Sequence, residues 1–166
     1  ASSGGLAEVV AVSGDYTQGC VIRQRADLCS VSLVIMNITD LSPCFCTNDV
    51  AACRDFYTRY FSADAIFDCG WYVNLRIGAD GPTLQFMQPQ EGMPVFAGTG
   101  VMLNFKVDDV DAEHARLVEA GLKVAMPLED HPWGDRGFSV TDPIGNAVYL
   151  FSDREPADEF KQYYLA

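Results

Sequence analysis

From about residue 41 the chain alternates between two hydrophobic spacings. Short runs rich in β-branched, aromatic and alternating apolar residues mark strands, whereas apolar residues at i, i+3, i+4 and i+7 mark helices. Runs at 43–47 and 101–107 are expected as strands, each followed by an Asp placed to cap a helix. The helices are expected over 50–61 and 110–120. Cys53, Phe56, Tyr57 and Tyr60 carry the apolar face of the first, and His114, Leu117, Val118 and Gly121 that of the second. Three strand-like runs follow the first helix, at 65–68, 71–77 and 83–87, the last two joined by Gly78-Ala79-Asp80-Gly81. After the second helix come a strand at 123–126 and a hairpin of 136–141 and 147–151. Its turn is Asp142-Pro143-Ile144-Gly145-Asn146, where Pro fixes φ and Gly or Asn tolerates positive φ.

This order of elements is written twice, and the copies align residue by residue. A shift of 60 residues lays Asp49-Val50 on Asp109-Val110, Phe45 on Phe105 and Ala52 on Ala112. A shift of 64 lays Gly81 on Gly145, Leu84 on Val148 and Phe86 on Leu150. Module one therefore spans about 41–90 and module two about 100–152, within a domain of 36–155 closed by a short C-terminal helix in 156–166. Residues 1–35 show no sustained period and are read as a leader or disordered tail, native or not. The alternative is an extra strand pair at 9–12 and 31–35.

The repeat, together with the closing stretch HPWGDRGFSVTDPIGNAVYLFS at 131–152, resembles the vicinal-oxygen-chelate superfamily of glyoxalase I, the extradiol dioxygenases and the bleomycin-resistance proteins. Pro132-Trp133-Gly134 is most similar to the bleomycin-resistance branch. The resemblance covers about 41–152. It implies an α+β fold of two βαβββ modules whose curved sheets surround a cup, the glyoxalase/bleomycin-resistance fold. It also implies that the strand positions holding a divalent metal in the family's enzymes fall on Ser42, Gln85, Met102 and Tyr149. Only Gln85 is a credible ligand, because a hydroxyl, a thioether and a phenol do not complete a hard-cation set. No metal, no cofactor and no catalytic residue are therefore expected. His114 is expected as a packed or exposed helix residue, and His131 at a pocket rim.

Composition narrows the partners. A chain of 166 residues with 49% hydrophobic and 20% charged residues suffices for one well-cored domain. Glu8, Asp15 and Asp27 against Arg23 and Arg25 leave −1 on the first 35 residues, so −11 of the net −12 falls on the rest. Nucleic acid is excluded as a partner, since phosphate binding needs clustered Lys and Arg. No apolar run reaches the roughly 18–20 residues of a bilayer span, and the cytoplasm is the expected compartment. Cys20, Cys29, Cys44, Cys46, Cys53 and Cys69 have neither CxxC nor zinc-ligand spacing and read as reduced thiols, with burial expected for Cys44, Cys46 and Cys53.

These residues point to a small-molecule-binding protein without a metal. Trp133, Trp71, Phe67, Phe86 and Tyr149 are candidates to offer flat faces, Met102 to line the cup and Gln85 to supply a directional hydrogen bond. Ordinary core packing is the competing reading for Phe67 and Phe86. An acidic protein with such a groove suits a planar or cationic ligand, such as a glycopeptide antibiotic. The resemblance further implies a homodimer with swapped N-terminal strands. The alternative functions are a metal-dependent lyase, isomerase or dioxygenase of the same fold, or a protein whose only partner is itself or another chain.

Overall fold

A computed structural model describes residues 36–165, and those from Ile38 onward form one compact unit. The expectations for residues 1–35, and for Cys20 and Cys29 among them, lie outside the described residues. Module one comprises β1 (Cys44–Cys46), α1 (Val50–Phe61), β2 (Ala63–Asp68), β3 (Tyr72–Ile77) and β4 (Thr83–Met87). Module two comprises β5 (Met102–Lys106), α2 (Val110–Glu119), β6 (Val124–His131), β7 (Asp135–Thr141) and β8 (Ala147–Asp153), and α3 (Asp158–Lys161) follows. The sheets have the same plan, β1-β4-β3-β2 and β5-β8-β7-β6, with the first pair parallel in each and the rest antiparallel. The fold is α+β, two βαβββ modules. Cys44 opposes Gln85 as Asn104 opposes Tyr149, so the sequence offsets of 60 and 64 are also offsets of register.

Strand alternation sends one face of each sheet into the core and leaves the other open. Phe45, Val73, Leu75, Leu84 and Phe86 are buried on the helix side of the first sheet, as are Leu103, Phe138, Val140, Val148 and Leu150 in the second. Full burial of a side chain such as Phe86 contributes about 2–3 kcal/mol. Helix α1 buries Val50, Cys53 and Tyr57, with Phe56 and Tyr60 packed at the margin, and Ser62 ends it in the left-handed conformation, its N–H on Tyr57 O. In α2 the buried seam is Val110 and Leu117, with the His114 ring edge-on to Phe138 at 4.9 Å. Val118 stays half-exposed, so the expected face through Val118 and Gly121 is turned by one position.

Three further expectations change. Asp109 caps α2 by accepting from Ala112 N, but Asp49, at φ −101° and ψ 37°, makes no side-chain capping bond to α1, and its own N–H donates to Thr47 Oγ1. Only Cys53 is fully buried among the described cysteines, all of which are free; burial pushes its thiol up to about 12. Cys44 is exposed and Cys46 half-buried, because Phe45 takes the core side of β1. Strand β6 runs on to His131 rather than ending near Met126, since bulges between Val124 and Glu129 accommodate Pro127 without a ladder donor.

The modules are joined through the β7–β8 turn. Buried Tyr57 donates to Asp142 Oδ2 at 2.9 Å, while Asp142 Oδ1 accepts from Ile144 N at 3.1 Å and Asn146 N at 2.8 Å. Asn146 Nδ2 adds a second bond to Oδ2 at 2.9 Å. On the opposite side of the turn the linker passes so close that a Cβ on Gly98 would lie 2.6 Å from Ile144 O, and one on Gly145 3.0 Å from Gly98 O. Both glycines have positive φ. No helix among the described residues is long and apolar enough to cross a membrane.

Candidate functional site

The open face of module two holds a depression of about 380 Å³ lined by Met102, Asn104, Met126, Trp133, Asp135, Tyr149 and Phe151. Period-two alternation puts Met102 and Asn104 on one face of β5, and Tyr149 and Phe151 on the matching face of β8. Because β6 reaches His131 and β7 begins at Asp135, Pro132-Trp133-Gly134 forms the tip of a hairpin instead of a loop ahead of one. The Trp133 indole lies flat on the His131 ring, centroids 4.4 Å apart and 10° from parallel, and remains 48% exposed.

Beneath this stack the Tyr149 hydroxyl donates to Asp135 Oδ1 at 3.0 Å and lies 3.2 Å from His131 Nδ1. His131 Nδ1 is also 2.9 Å from the same carboxylate oxygen. Burial, and then the bond to Asp135, raise the Tyr149 phenol well above its ordinary value, so it stays neutral at physiological pH. The ring reaches these partners by lying across β7, in the space where residue 137 would carry a side chain. Gly137 is therefore part of the site. The result is a shallow apolar bowl with one aromatic wall, one largely enclosed carboxylate and one amide, suited to holding a flat guest with a positive or donor group.

The candidates divide into three groups. Met102, Trp133 and Tyr149 meet at this depression. Gln85, Trp71 and Phe67 belong to module one: Gln85 Nε2 donates to Ser42 Oγ at 2.8 Å, and Trp71 and Phe67, each about half-exposed, pack near Tyr72 with centroids 6.0 and 5.7 Å away. Phe86 lines neither open face; it is wholly buried and stacked on Tyr57 at 5.5 Å. Asp135, Met126, Asn104 and Phe151 were not singled out from the sequence. Asn104 and Phe151 follow from alternation with Met102 and Tyr149, whereas Met126 and Asp135 needed the bulged β6–β7 pairing.

The four positions that resemblance assigns to a metal do not suit one. Gln85 donates its Nε2 to Ser42, whose hydroxyl also meets Thr83, and is left with a neutral amide oxygen as its one ligand atom. Met102 offers a thioether, and Tyr149 a phenol whose proton is held more tightly than usual. A larger cleft of about 620 Å³, between Phe61, Ile77 and Pro82 on one side and Phe105, Lys106 and Arg116 on the other, has less chemistry to offer. Its two cations are already paired, Lys106 with Asp153 and Arg116 with Glu113.

Comparison with known proteins agrees with the geometry. The family model described as Glyoxalase/Bleomycin resistance protein/Dioxygenase superfamily matches residues 38–150. An uncharacterized protein of Mycobacterium bovis is 31% identical over 118 residues, covering 64% of this chain and 78% of its own length. A glyoxalase/bleomycin resistance protein/dioxygenase from Nocardioides superposes with a TM-score of 0.64 at 21% identity, covering 74% of this chain and 88% of that one. TnmS3, an antibiotic binding protein from Streptomyces sp. CB03234, superposes with a TM-score of 0.56 at 28% identity, over 73% and 98% of the two chains. With the doubled βαβββ plan, its register and the family match in agreement, the chain belongs to the Glyoxalase/Bleomycin resistance protein/Dioxygenase superfamily.

Proposed function

We propose that this protein binds and sequesters a planar or cationic small molecule, such as a glycopeptide antibiotic, without a metal and without turning it over. The observation that carries the reading is Trp133, a half-exposed indole on a hairpin tip, backed by His131 and facing a bowl that contains the Asp135 carboxylate. A large aromatic left half in water on a loop loses hydrophobic stabilisation, which contact with a guest would supply. The likeness to TnmS3 supports the same reading. The donor set at Ser42, Gln85, Met102 and Tyr149 weighs against a metal-dependent lyase, isomerase or dioxygenase.

An aromatic cation stacked on Trp133 gains about 1–2 kcal/mol, or roughly 5- to 30-fold in affinity. Attraction by the net charge of −12 adds to this and fades with salt. The test is a calorimetric titration with bleomycin, comparing the parent with Trp133→Ala at low and high ionic strength. Saturable binding that weakens 5- to 30-fold in the variant is expected. Absence of binding to the parent at micromolar concentrations removes the cationic glycopeptide, and equal binding by both clears Trp133 of the role.

The assembly we propose is a two-fold dimer. Among the described residues strand β1 pairs with β4 alone and β5 with β8 alone, so each sheet ends in an edge strand, and each open face carries half-exposed apolar side chains, Phe67 and Trp71 in one module and Met102 in the other. A second copy would cover both. Sedimentation equilibrium should return about twice the chain mass of 18.2 kDa; a single chain mass refutes the dimer.

A further inference from the structure

We propose that the C-terminal segment from Arg154 to Tyr164 is a strap that positions Trp133, with Tyr164 as its positioning residue. The proposal rests on the reading of Trp133 as the ligand-stacking face, but the contacts behind it are separate. Three consecutive carbonyls at the hairpin tip each accept one hydrogen bond from this segment. Pro132 O accepts from Ala157 N at 2.9 Å, Gly134 O from Arg154 N at 2.9 Å, and Trp133 O from the Tyr164 hydroxyl. Within the tip itself Gly134 N donates to His131 O at 3.1 Å, and His131 and Asp135 close it as a paired ladder position. The tip is therefore braced from outside as well as closed from within.

Steric contact points the same way. A Cβ on Gly134 would lie 2.8 Å from Tyr164 Oη, 3.1 Å from Pro156 Cβ and 3.2 Å from Arg154 O, so the strap fills the volume a side chain would need. The chain turns back through α3, where Phe160 N donates to Ala157 O, and then Tyr163 N to Phe160 O and Tyr164 N to Lys161 O, which returns Tyr164 to the tip. Two of the three anchors are backbone N–H groups, which no substitution other than proline removes. The third is the one side chain in the set. Tyr164 is 62% exposed and buries little, so its contact contributes to where the indole sits far more than to the fold.

The experiment uses the full chain carrying Trp71→Phe, which leaves Trp133 as the one tryptophan. Acrylamide quenching and fluorescence anisotropy of Trp133 are measured without ligand in this background and with Tyr164→Phe, Tyr164→Ala or Tyr163→Ala added. Loss of one hydrogen bond of ordinary net strength raises the population of a displaced tip by about two- to tenfold. We expect faster quenching and lower anisotropy for both Tyr164 variants, with Tyr163→Ala and the melting temperature unchanged. Identical quenching in all four proteins overturns the proposal, as does a rise matched by general loss of stability. Because this readout needs no ligand, a strap effect without bleomycin binding counts against the sequestration reading alone. Bleomycin binding with unaltered quenching counts against the strap alone.

Discussion

Alanine at position 137 tests the site's construction at a residue that touches no ligand. An added Cβ would lie 2.3 Å from Tyr149 Oη, 2.4 Å from Cζ and 2.7 Å from Cε2, well inside any non-bonded approach. Gly137 is mid-strand and lacks positive φ, so alanine carries no backbone penalty there and by itself would gain about 0.4–1 kcal/mol from the unfolded state. The whole cost comes from evicting the tyrosine ring. Overpacking costs about 1–3 kcal/mol. Losing the bond from Tyr149 to the Asp135 carboxylate adds about 1.5–3 kcal/mol. The net is a destabilisation of about 2–5 kcal/mol, or a fall in melting temperature of roughly 10 °C for a domain of this size. Chemical denaturation of Gly137→Ala, Tyr149→Ala and the double variant closes a cycle that isolates the clash. In the Tyr149→Ala background the alanine at 137 should be neutral or slightly stabilising. A cost below about 0.5 kcal/mol for the single variant, or the same cost with the ring absent, would refute the argument.

Two further outcomes follow from the buried phenols. Tyr57→Phe removes one donor from buried Asp142 Oδ2 and should destabilise by about 1.5–3 kcal/mol in urea unfolding; a cost near zero would mean the turn holds that carboxylate without α1. Burial and a neighbouring carboxylate raise both Tyr57 and Tyr149 above the ordinary phenol value of 10.0, so folding favours their protonated forms. Their contribution is complete below pH 10 and is lost as pH rises beyond it. Absorbance at 295 nm should show these two of the seven tyrosines ionising only as the fold fails. Stability that increases above pH 10 would contradict the sign.

The doubled architecture was legible because both hydrophobic periods survive in each copy, and the offsets of 60 and 64 residues that gave the element order recur in the strand register. Placing Phe86 beside Gln85 in one cup was not compatible with alternation, since neighbours on β4 face opposite sides; Phe86 takes the helix side and Gln85 the open side. Strand β6 was hidden by its bulges, which break the period around Pro127. That concealed the hairpin tip bearing Trp133, and with it Met126 and Asp135. The capping role of Asp49 is lost in backbone geometry, which sits at φ −101° and ψ 37° rather than in the extended conformation of Asp109 at φ −131° and ψ 93°. That local backbone conformation is invisible to residue type alone.

The contact between the linker and the β7–β8 turn has an evolutionary corollary. Gly98 and Gly145 stand 47 positions apart, yet a side chain on Gly98 would run into the Ile144 carbonyl and one on Gly145 into the Gly98 backbone, and both adopt positive φ. Neither can drift singly while the linker keeps its course. Across relatives that retain this path the two positions should be glycine together, and a lineage that has gained a side chain at either should also show a linker of altered length. The pair would then serve as a marker of how the two modules are connected, readable from alignments without any reference to the ligand.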